Sequence, residues 1–175
     1  GLPLSDARWP APSRCHVGVA CPPRPAQLGL MRMRGARVCL RLACRLFVKE
    51  PIPKGEMCIE YQGALIRNSL ADTFLKRYTA MGIPGDCYIF RIDDELMVDA
   101  TMWGNIARFM NHSCAPNAYS RIVEVGKGIG DKHIVVFALR DLQVGEELQY
   151  DYQFALGGEK IECHCGAPEC WGRMN

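Results

Sequence analysis

The chain has 175 residues, enough for one domain with a sizeable core. Hydrophobic content is 49% and charged content 23%, ordinary for a globular protein, and no run of about 18 apolar residues is present to span a membrane as a helix. The net charge of +2 hides an asymmetry: residues 1–48 carry eight arginines against the single acid Asp6, a net +7, which leaves −5 for residues 49–175. An acidic body of this kind attracts a basic peptide, or is an ordinary solvated surface.

The first residue is Gly1 rather than Met, so a fragment or a processed product is expected. Residues 1–45 are rich in Pro, Arg and Cys, and Pro22-Pro23-Arg24-Pro25 cannot sustain a helix or a central strand, so the stretch reads as irregular. Its Arg-rich, acid-poor character also fits an organelle transit peptide, whereas no compact apolar segment behind a basic start marks a secretory signal. Between Met31 and Phe47 arginines alternate with apolar residues, which leaves a strand or an amphipathic helix open. From Leu46 onward the chain reads as many short strands. Met57 to Tyr61 follows the turn Pro53-Lys54-Gly55. Ser69 with Asp72 makes a capping pair, Leu70, Phe74, Leu75 and Tyr78 form an apolar stripe, and this one helix stops before Gly82 and Pro84. Cys87 to Ile92 and Leu96 to Val98 read as strands around the turn Asp93-Asp94. Ala118 to Val125 and His133 to Leu139 flank the glycine-rich residues 126–130 as a hairpin. No repeat and no GxGxxG nucleotide fingerprint is present.

Ten cysteines permit a secreted disulfide framework, but the last of them sit at metal-ligand spacing. Cys163, Cys165 and Cys170 form a C-x-C-x4-C cluster in which Gly166 lets the backbone fold back. Zinc takes four tetrahedral ligands, so a fourth must come from elsewhere. Cys114 is the distant candidate and His164 the local one, although its ring, between two ligands, points away. The bland reading is a set of free surface thiols.

His112 taken alone is a core histidine, and Asn111-His112-Ser113 also matches a glycosylation sequon. Tyr150 and Tyr152 lie two apart, hence on one face of a strand, where core tyrosines are the plain reading. Methyl transfer to an amine is a reaction that phenols can serve without a strong base. The lysine must first lose its proton, against a reference pKa of about 10.4, and an apolar aromatic channel lowers that value by desolvation. A phenol at its mouth then aligns the lone pair for in-line attack.

In chain order, Gly55-Glu56-Met57 with Ile59-Glu60-Tyr61, Tyr88-Ile89-Phe90-Arg91-Ile92-Asp93-Asp94, Val98-Asp99-Ala100-Thr101-Met102, Gly104-Asn105-Ile106-Ala107-Arg108-Phe109, Asn111-His112-Ser113-Cys114, Lys132-His133-Ile134-Val135 and the final cysteines resemble the trithorax/MLL branch of SET-domain histone lysine methyltransferases. The resemblance covers residues 46–155, as a SET domain, and 159–175, as a post-SET zinc-binding segment, but not 1–45. It implies a mainly β fold, the β-clip of short strands with a pseudo-knot and one helical insert. It implies S-adenosylmethionine as cofactor, contacted by Tyr88, by Asn111 and His112, and by the backbone around His164. Tyr152 would be the catalytic tyrosine. Tyr150 would occupy a Phe/Tyr switch position, its hydroxyl and bound water filling the space a second methyl needs. Cys114, Cys163, Cys165 and Cys170 would bind Zn2+, folding the tail over the substrate channel. The implied substrate is lysine 4 of the histone H3 tail, in the nucleus, with WD40 and SPRY-domain partners steadying the helical insert. No membrane and no direct nucleic-acid contact are expected.

The sequence departs from that family in one stretch. The family carries a His-Gly-x-Gly turn before the Leu-Phe matched by Leu46-Phe47, and here Leu42-Ala43-Cys44-Arg45 stands in its place. A long Arg45 where a glycine belongs obstructs the cofactor or distorts the turn, so a SET module that folds and binds zinc or histone tails without catalysis is the alternative reading. His164 stands where the family has Asn.

Overall fold

The computed structural model describes residues 38–41, 45–83, 88–126, 128, 131–154 and 160–175. Within these, ten short strands and one α-helix make up the regular structure, so the mainly β expectation with a single helical insert holds. The Pro/Arg-rich residues 1–37, the Ala43-Cys44 replacement, Pro84, Cys87 and much of the glycine-rich turn lie outside the described residues. The segment 1–45, expected to be irregular, differs in its last part. Val38–Arg41 is a strand, β1, which pairs antiparallel with β2 (Arg45–Val48), from Val38 opposite Val48 to Arg41 opposite Arg45. Alternation of arginine with apolar residues is the strand period, and it decides that ambiguity.

The main sheet has five strands. β3 (Met57–Tyr61) lies at one edge, then β9 (Lys132–Ala138), β8 (Ala118–Glu124), β10 (Gln149–Tyr150) and β7 (Asn111–His112). β8 and β9 form the expected hairpin, in register from Ala118 opposite Ala138 to Glu124 opposite Lys132. A second sheet orders β4 (Gly63–Arg67), β6 (Leu96–Gly104) and β5 (Ile89–Arg91), all antiparallel. The helix, α1 (Ala71–Ala80), is inserted between β4 and β5. It is largely solvated: Tyr78 is its one buried residue, and the Tyr78 hydroxyl donates to Asp99 Oδ2 at 2.5 Å. The expected Ser69–Asp72 capping pair is not made. Ser69 lies inside a 3-10 turn, Asn68–Leu70, that leads into the helix, and no side chain caps either element. Asp72 still favours the first turn through its charge.

The end of the chain threads through earlier structure. Residues 142–148 run antiparallel to residues 46–52: Leu148 N–H donates to Leu46 O (2.8 Å), Val48 N–H to Glu146 O (2.8 Å), and Ile52 and Leu142 exchange both backbone bonds. β10 then slots between β7 and β8, parallel to each. Leu46, Val48, Ile52, Leu142 and Leu148 are fully sealed from solvent along this seam, with Ile134 and Val136 beneath. Each such side chain contributes about 1.5–3 kcal/mol by burial, which holds a segment with little sheet of its own. The threading delivers Tyr150 and Tyr152 to the residues around His112. Among the described residues, no helix is long and apolar enough to cross a membrane.

Candidate active site and metal centre

The approach to the site is built by Asn105. Its side chain accepts from Ala107 N (3.1 Å) and donates to Glu60 O (2.7 Å), starting the 3-10 turn Ile106–Phe109. Gly104 before it is obligatory: a Cβ there would lie 2.6 Å from that of Ala100. The turn buries Arg108, whose guanidinium donates to Ala100 O (2.8 Å) and Thr101 O (3.2 Å) and lies 4.7 Å from the Phe109 ring centroid and 5.4 Å from that of Tyr88. Burial lowers its pKa, countered by Tyr88 and Tyr61. Its Nε is buried without a hydrogen-bond partner. The same residues that carry the opening of the Asn-His-Ser-Cys run therefore fix it rigidly from beneath.

Aromatic rings converge at the threaded strand. Tyr150 and Tyr152 lie on one side, centroids 5.0 Å apart, although the strand itself ends at Tyr150. Phe90 stacks on Tyr150 at 6.0 Å and 11°, Tyr61 packs on Phe90 at 5.3 Å, and Phe154 meets Tyr152 edge-on at 5.4 Å. Tyr61 and Tyr150 are buried while Phe154 is exposed, so the cluster runs from the core to the surface. Burial, with neighbouring phenols adding, pushes the Tyr61 and Tyr150 pKa values well up. Both hydroxyls therefore stay protonated and orient groups rather than remove protons. Tyr61 Oη donates to Tyr88 O (3.0 Å), and Tyr152 Oη donates to Met110 O (2.8 Å).

The residues expected to hold a cofactor are placed unevenly. Tyr88 packs edge-on to Phe109, centroids 6.0 Å apart. Asn111 and His112, successive along β7, face opposite ways. Asn111 Nδ2 donates to Glu147 Oε1 at 2.7 Å, and Glu147 Oε2 in turn accepts from Arg45 at 3.2 Å. The buried His112 ring accepts from Tyr152 N–H through Nδ1 (3.2 Å) and sets Nε2 3.6 Å from Cys114 Sγ. Burial lowers the His112 pKa, with Asp151 acting the other way. His164 is exposed, its Nε2 3.5 Å from Glu162, apart from the other three. A cavity of about 200 Å³ opens beside His112, lined also by Asp151, Phe154, Trp171, Arg173 and Asn175.

The sulfur atoms of Cys114, Cys163, Cys165 and Cys170 lie within 4.8 Å of one another. Cys114 Sγ is 3.7 Å from that of Cys163 and 3.9 Å from that of Cys170. A tetrahedral zinc with Zn–S bonds of about 2.3 Å requires sulfur separations of about 3.8 Å, so the donor set fits that ion. Cys114 N–H donates to Cys165 Sγ (3.5 Å) and Gly172 N–H to Cys170 Sγ (3.4 Å), the backbone support typical of thiolate ligands. Although burial works upward, N–H groups of Cys114 and Ala167 and the neighbouring thiols bring Cys165 down to about 6, while burial above all pushes Cys163 up to about 12. Cys114 is also raised: the Trp171 backbone lowers it, but burial and the sulfurs of Cys165 and Cys170 outweigh that. Four thiolates this close ionise together only around a cation. Gly166 adopts φ +72°, which turns the tail back as its sequence position implies. The local competitor His164 is not part of the cluster.

Sequence reasoning gave no role to Met110, Tyr61, Phe90, Glu147 or Asp151. Tyr61 and Phe90 carry a signal, the inward phase of period-2 strands; the Met110 carbonyl carries none, because every residue has one.

A threaded terminal strand, tyrosines paired at its end and a sulfur cluster joined to them through His112 define a class of protein, and comparison agrees: the model for the SET domain matches residues 44–153, and the chain belongs to that family. It is 53% identical over 130 residues to the Schizosaccharomyces pombe "Histone-lysine N-methyltransferase, H3 lysine-4 specific", 53% over 132 residues to human "Histone-lysine N-methyltransferase 2B", and 52% over 130 residues to Drosophila virilis "Histone-lysine N-methyltransferase trithorax". Each comparison covers 74% of this chain, but only 14%, 5% and 3% of those proteins respectively.

Proposed function

We propose that the chain is the catalytic domain of a histone lysine methyltransferase that transfers methyl groups from S-adenosylmethionine to lysine 4 of histone H3, on chromatin in the nucleus. The observation that carries this reading is the aromatic run from exposed Phe154 to buried Tyr150, with Tyr152 between them and its hydroxyl anchored on Met110 O. A lysine side chain entering it leaves water, which disfavours its charge and frees the lone pair. Tyr150 and Tyr152 orient that amine, and the apolar rings exclude water. S-adenosylmethionine supplies an electrophilic methyl on a sulfonium. In the cavity beside His112, Phe154 and Trp171 would offer it aromatic faces and Asp151, Arg173 and Asn175 polar groups, and of the expected contacts His112 lines that cavity. Tyr88, Asn111, His112 and the backbone at His164 are the proposed cofactor contacts, and the four cysteines the zinc ligands. The relatives' names support the substrate. WD40 and SPRY-domain subunits are proposed as partners at the helical insert, where α1 buries little of itself.

The alternative is a SET module that binds zinc and histone tails without turnover. Arg45 favours it, since its guanidinium stands at the expected glycine turn and, through Glu147, engages the Asn111 amide. Calorimetric titration of S-adenosylmethionine, followed by methylation of an H3 peptide, decides between them. The enzyme reading predicts binding and turnover, with Tyr152→Phe losing at least tenfold in kcat. No binding at millimolar cofactor, recovered in Arg45→Gly, establishes the alternative.

A further inference from the structure

Residues 110–114 grip Tyr152 at both ends. The Met110 carbonyl accepts its hydroxyl at 2.8 Å, and His112 Nδ1 accepts its backbone N–H at 3.2 Å. The two rings also meet edge-on, with centroids 5.3 Å apart. The backbone leaves Tyr152 abruptly: Gln153 has φ +52°, a conformation costly for a residue with a side chain, and Asp151 Oδ1 holds it by accepting Gln153 N–H at 3.0 Å. The same carboxylate oxygen lies 3.5 Å from His112 Nδ1, so Asp151 is the charged neighbour of the ring. The hydrogen bond from Tyr152 assigns the tautomer. Nδ1 is the acceptor, the ring proton is on Nε2, and Nε2 points at Cys114 Sγ 3.6 Å away. The distance suits an N–H···S bond to a thiolate ligand, the arrangement by which an outer residue orients a ligand and is oriented by it.

We propose that His112 is a positioning residue that couples the four-cysteine metal centre to Tyr152: its Nε2–H bonds the Cys114 sulfur while its Nδ1 fixes the Tyr152 backbone, so that metal occupancy sets where the tyrosine stands. This rests on the reading above only in naming Tyr152 as the residue at the reacting amine; the coupling itself is a property of the fold. It adds a second route from metal to turnover, independent of the tail closing over the channel. It also moves the His112 side chain from cofactor contact to positioning.

The test is the full chain, 15N-labelled and titrated with Zn2+, and then loaded with 113Cd2+. In the wild type, metal loading shifts the Tyr152 amide resonance; in His112→Phe, which keeps a ring but neither bond, that shift is lost. Two half-variants keep the test open should His112→Phe fold poorly. His112→Asn places an acceptor near Nδ1 but nothing at Nε2, so the 113Cd resonance moves and chelator extraction quickens at least tenfold, while the Tyr152 amide keeps its hydrogen-bonded shift. His112→Gln reaches Nε2 but not Nδ1, so the 113Cd resonance is kept and kcat falls at least tenfold, with KM for the peptide unchanged. A Tyr152 amide that responds to metal equally in wild type and all three variants overturns the inference. So does a loss of kcat accompanied by an equal rise in KM and no change at the metal. A wild-type chain that shows the metal-linked shift but no methyl transfer refutes the enzyme reading alone.

Discussion

Cys114→Ser separates the metal centre from the body of the domain. Of the four proposed ligands, Cys163, Cys165 and Cys170 belong to the tail, and Cys114 alone stands on the SET side, one residue after Ser113, whose N–H donates to Tyr150 O at 3.1 Å. Structural zinc sites of four ligands release about 10–16 kcal/mol on binding, so one thiolate of four is worth about 3 kcal/mol, roughly a hundredfold in Kd. A serine hydroxyl recovers little of this, because a neutral oxygen does not match the softness of a thiolate. Competition with a chromophoric chelator should show one zinc bound about a hundredfold more weakly. Hydrogen exchange should show residues 160–175 losing protection while the seam at residues 46–52 and 142–148 keeps it, since Cys114 is only partly buried and contributes nothing to that core. Zinc affinity equal to that of the wild type would refute the four-cysteine assignment. Melting of the seam together with the tail would refute the claim that the SET body folds on its own hydrophobic threading.

Tyr150→Phe should shift the product distribution toward higher methylation states, read by mass spectrometry of the peptide, because removing the hydroxyl from the buried end of the aromatic run makes room for a methylated amine; an unchanged distribution argues against a switch role. Leu148→Ala should cost about 2–5 kcal/mol in denaturant unfolding, since the side chain is fully buried in the seam; a loss under 1 kcal/mol would mean the threaded segment is held by other means. Asp93 is held at about 2 in the fold, chiefly by the Lys132 ammonium at 2.5 Å and then by the N–H groups of Glu95 and Leu96, against an ordinary value of 3.8. A depressed carboxylate stabilises above its unfolded pKa and loses that contribution as pH falls from about 4 toward 2. The melting temperature of Asp93→Asn should therefore lie below that of the wild type at pH 7 and meet it near pH 2; a gap that persists at pH 2 contradicts the pairing.

The strands and the hairpin were legible from the turns that punctuate them, Pro53-Lys54-Gly55 before β3 and the glycine-rich residues 126–130 between β8 and β9, and the insert helix from its apolar stripe from Leu70 to Tyr78. The four-cysteine cluster was half legible. The C-x-C-x4-C spacing marks three sulfurs by itself, but Cys114 is 49 residues from Cys163, and the residues alone left its claim open against His164. The helix start was misread because Ser69 and Asp72 have capping spacing, yet the β4 strand runs directly into a 3-10 turn and leaves no extended residue there for the serine to cap. β1 was left open between strand and helix because a short stretch beside proline-rich sequence does not name its partner, and pairing with β2 decides it. The Tyr152–Met110 bond and the Arg45–Glu147–Asn111 chain were out of reach for a different reason. Both depend on the threading, which joins residues 36, 42 and 102 positions apart and leaves no periodic trace.

That threading also explains why so short a run as residues 108–114 can serve three purposes. An extended strand turns successive side chains to opposite sides. Asn111 therefore faces Glu147 and the Arg45 side, while His112 faces Tyr152 and the sulfur of Cys114, two residues on and on the same side. Met110, fully buried ahead of them, leaves its carbonyl to Tyr152. In a helix, residues 110, 112 and 114 would be spread by about 200° per step and no shared face would exist. The parallel pairing of β7 with β10, Asn111 opposite Gln149 and His112 opposite Tyr150, sets the tyrosines in phase with this alternation. A slip of one residue in that register would exchange the two faces, turning His112 toward Glu147 and Asn111 toward the cysteine sulfurs. The fully buried seam at Leu46, Val48, Leu142 and Leu148 is what forbids the slip, since the same shift would carry Leu148 out of the core. The stability of the core and the division of labour in the site are thus fixed by one register.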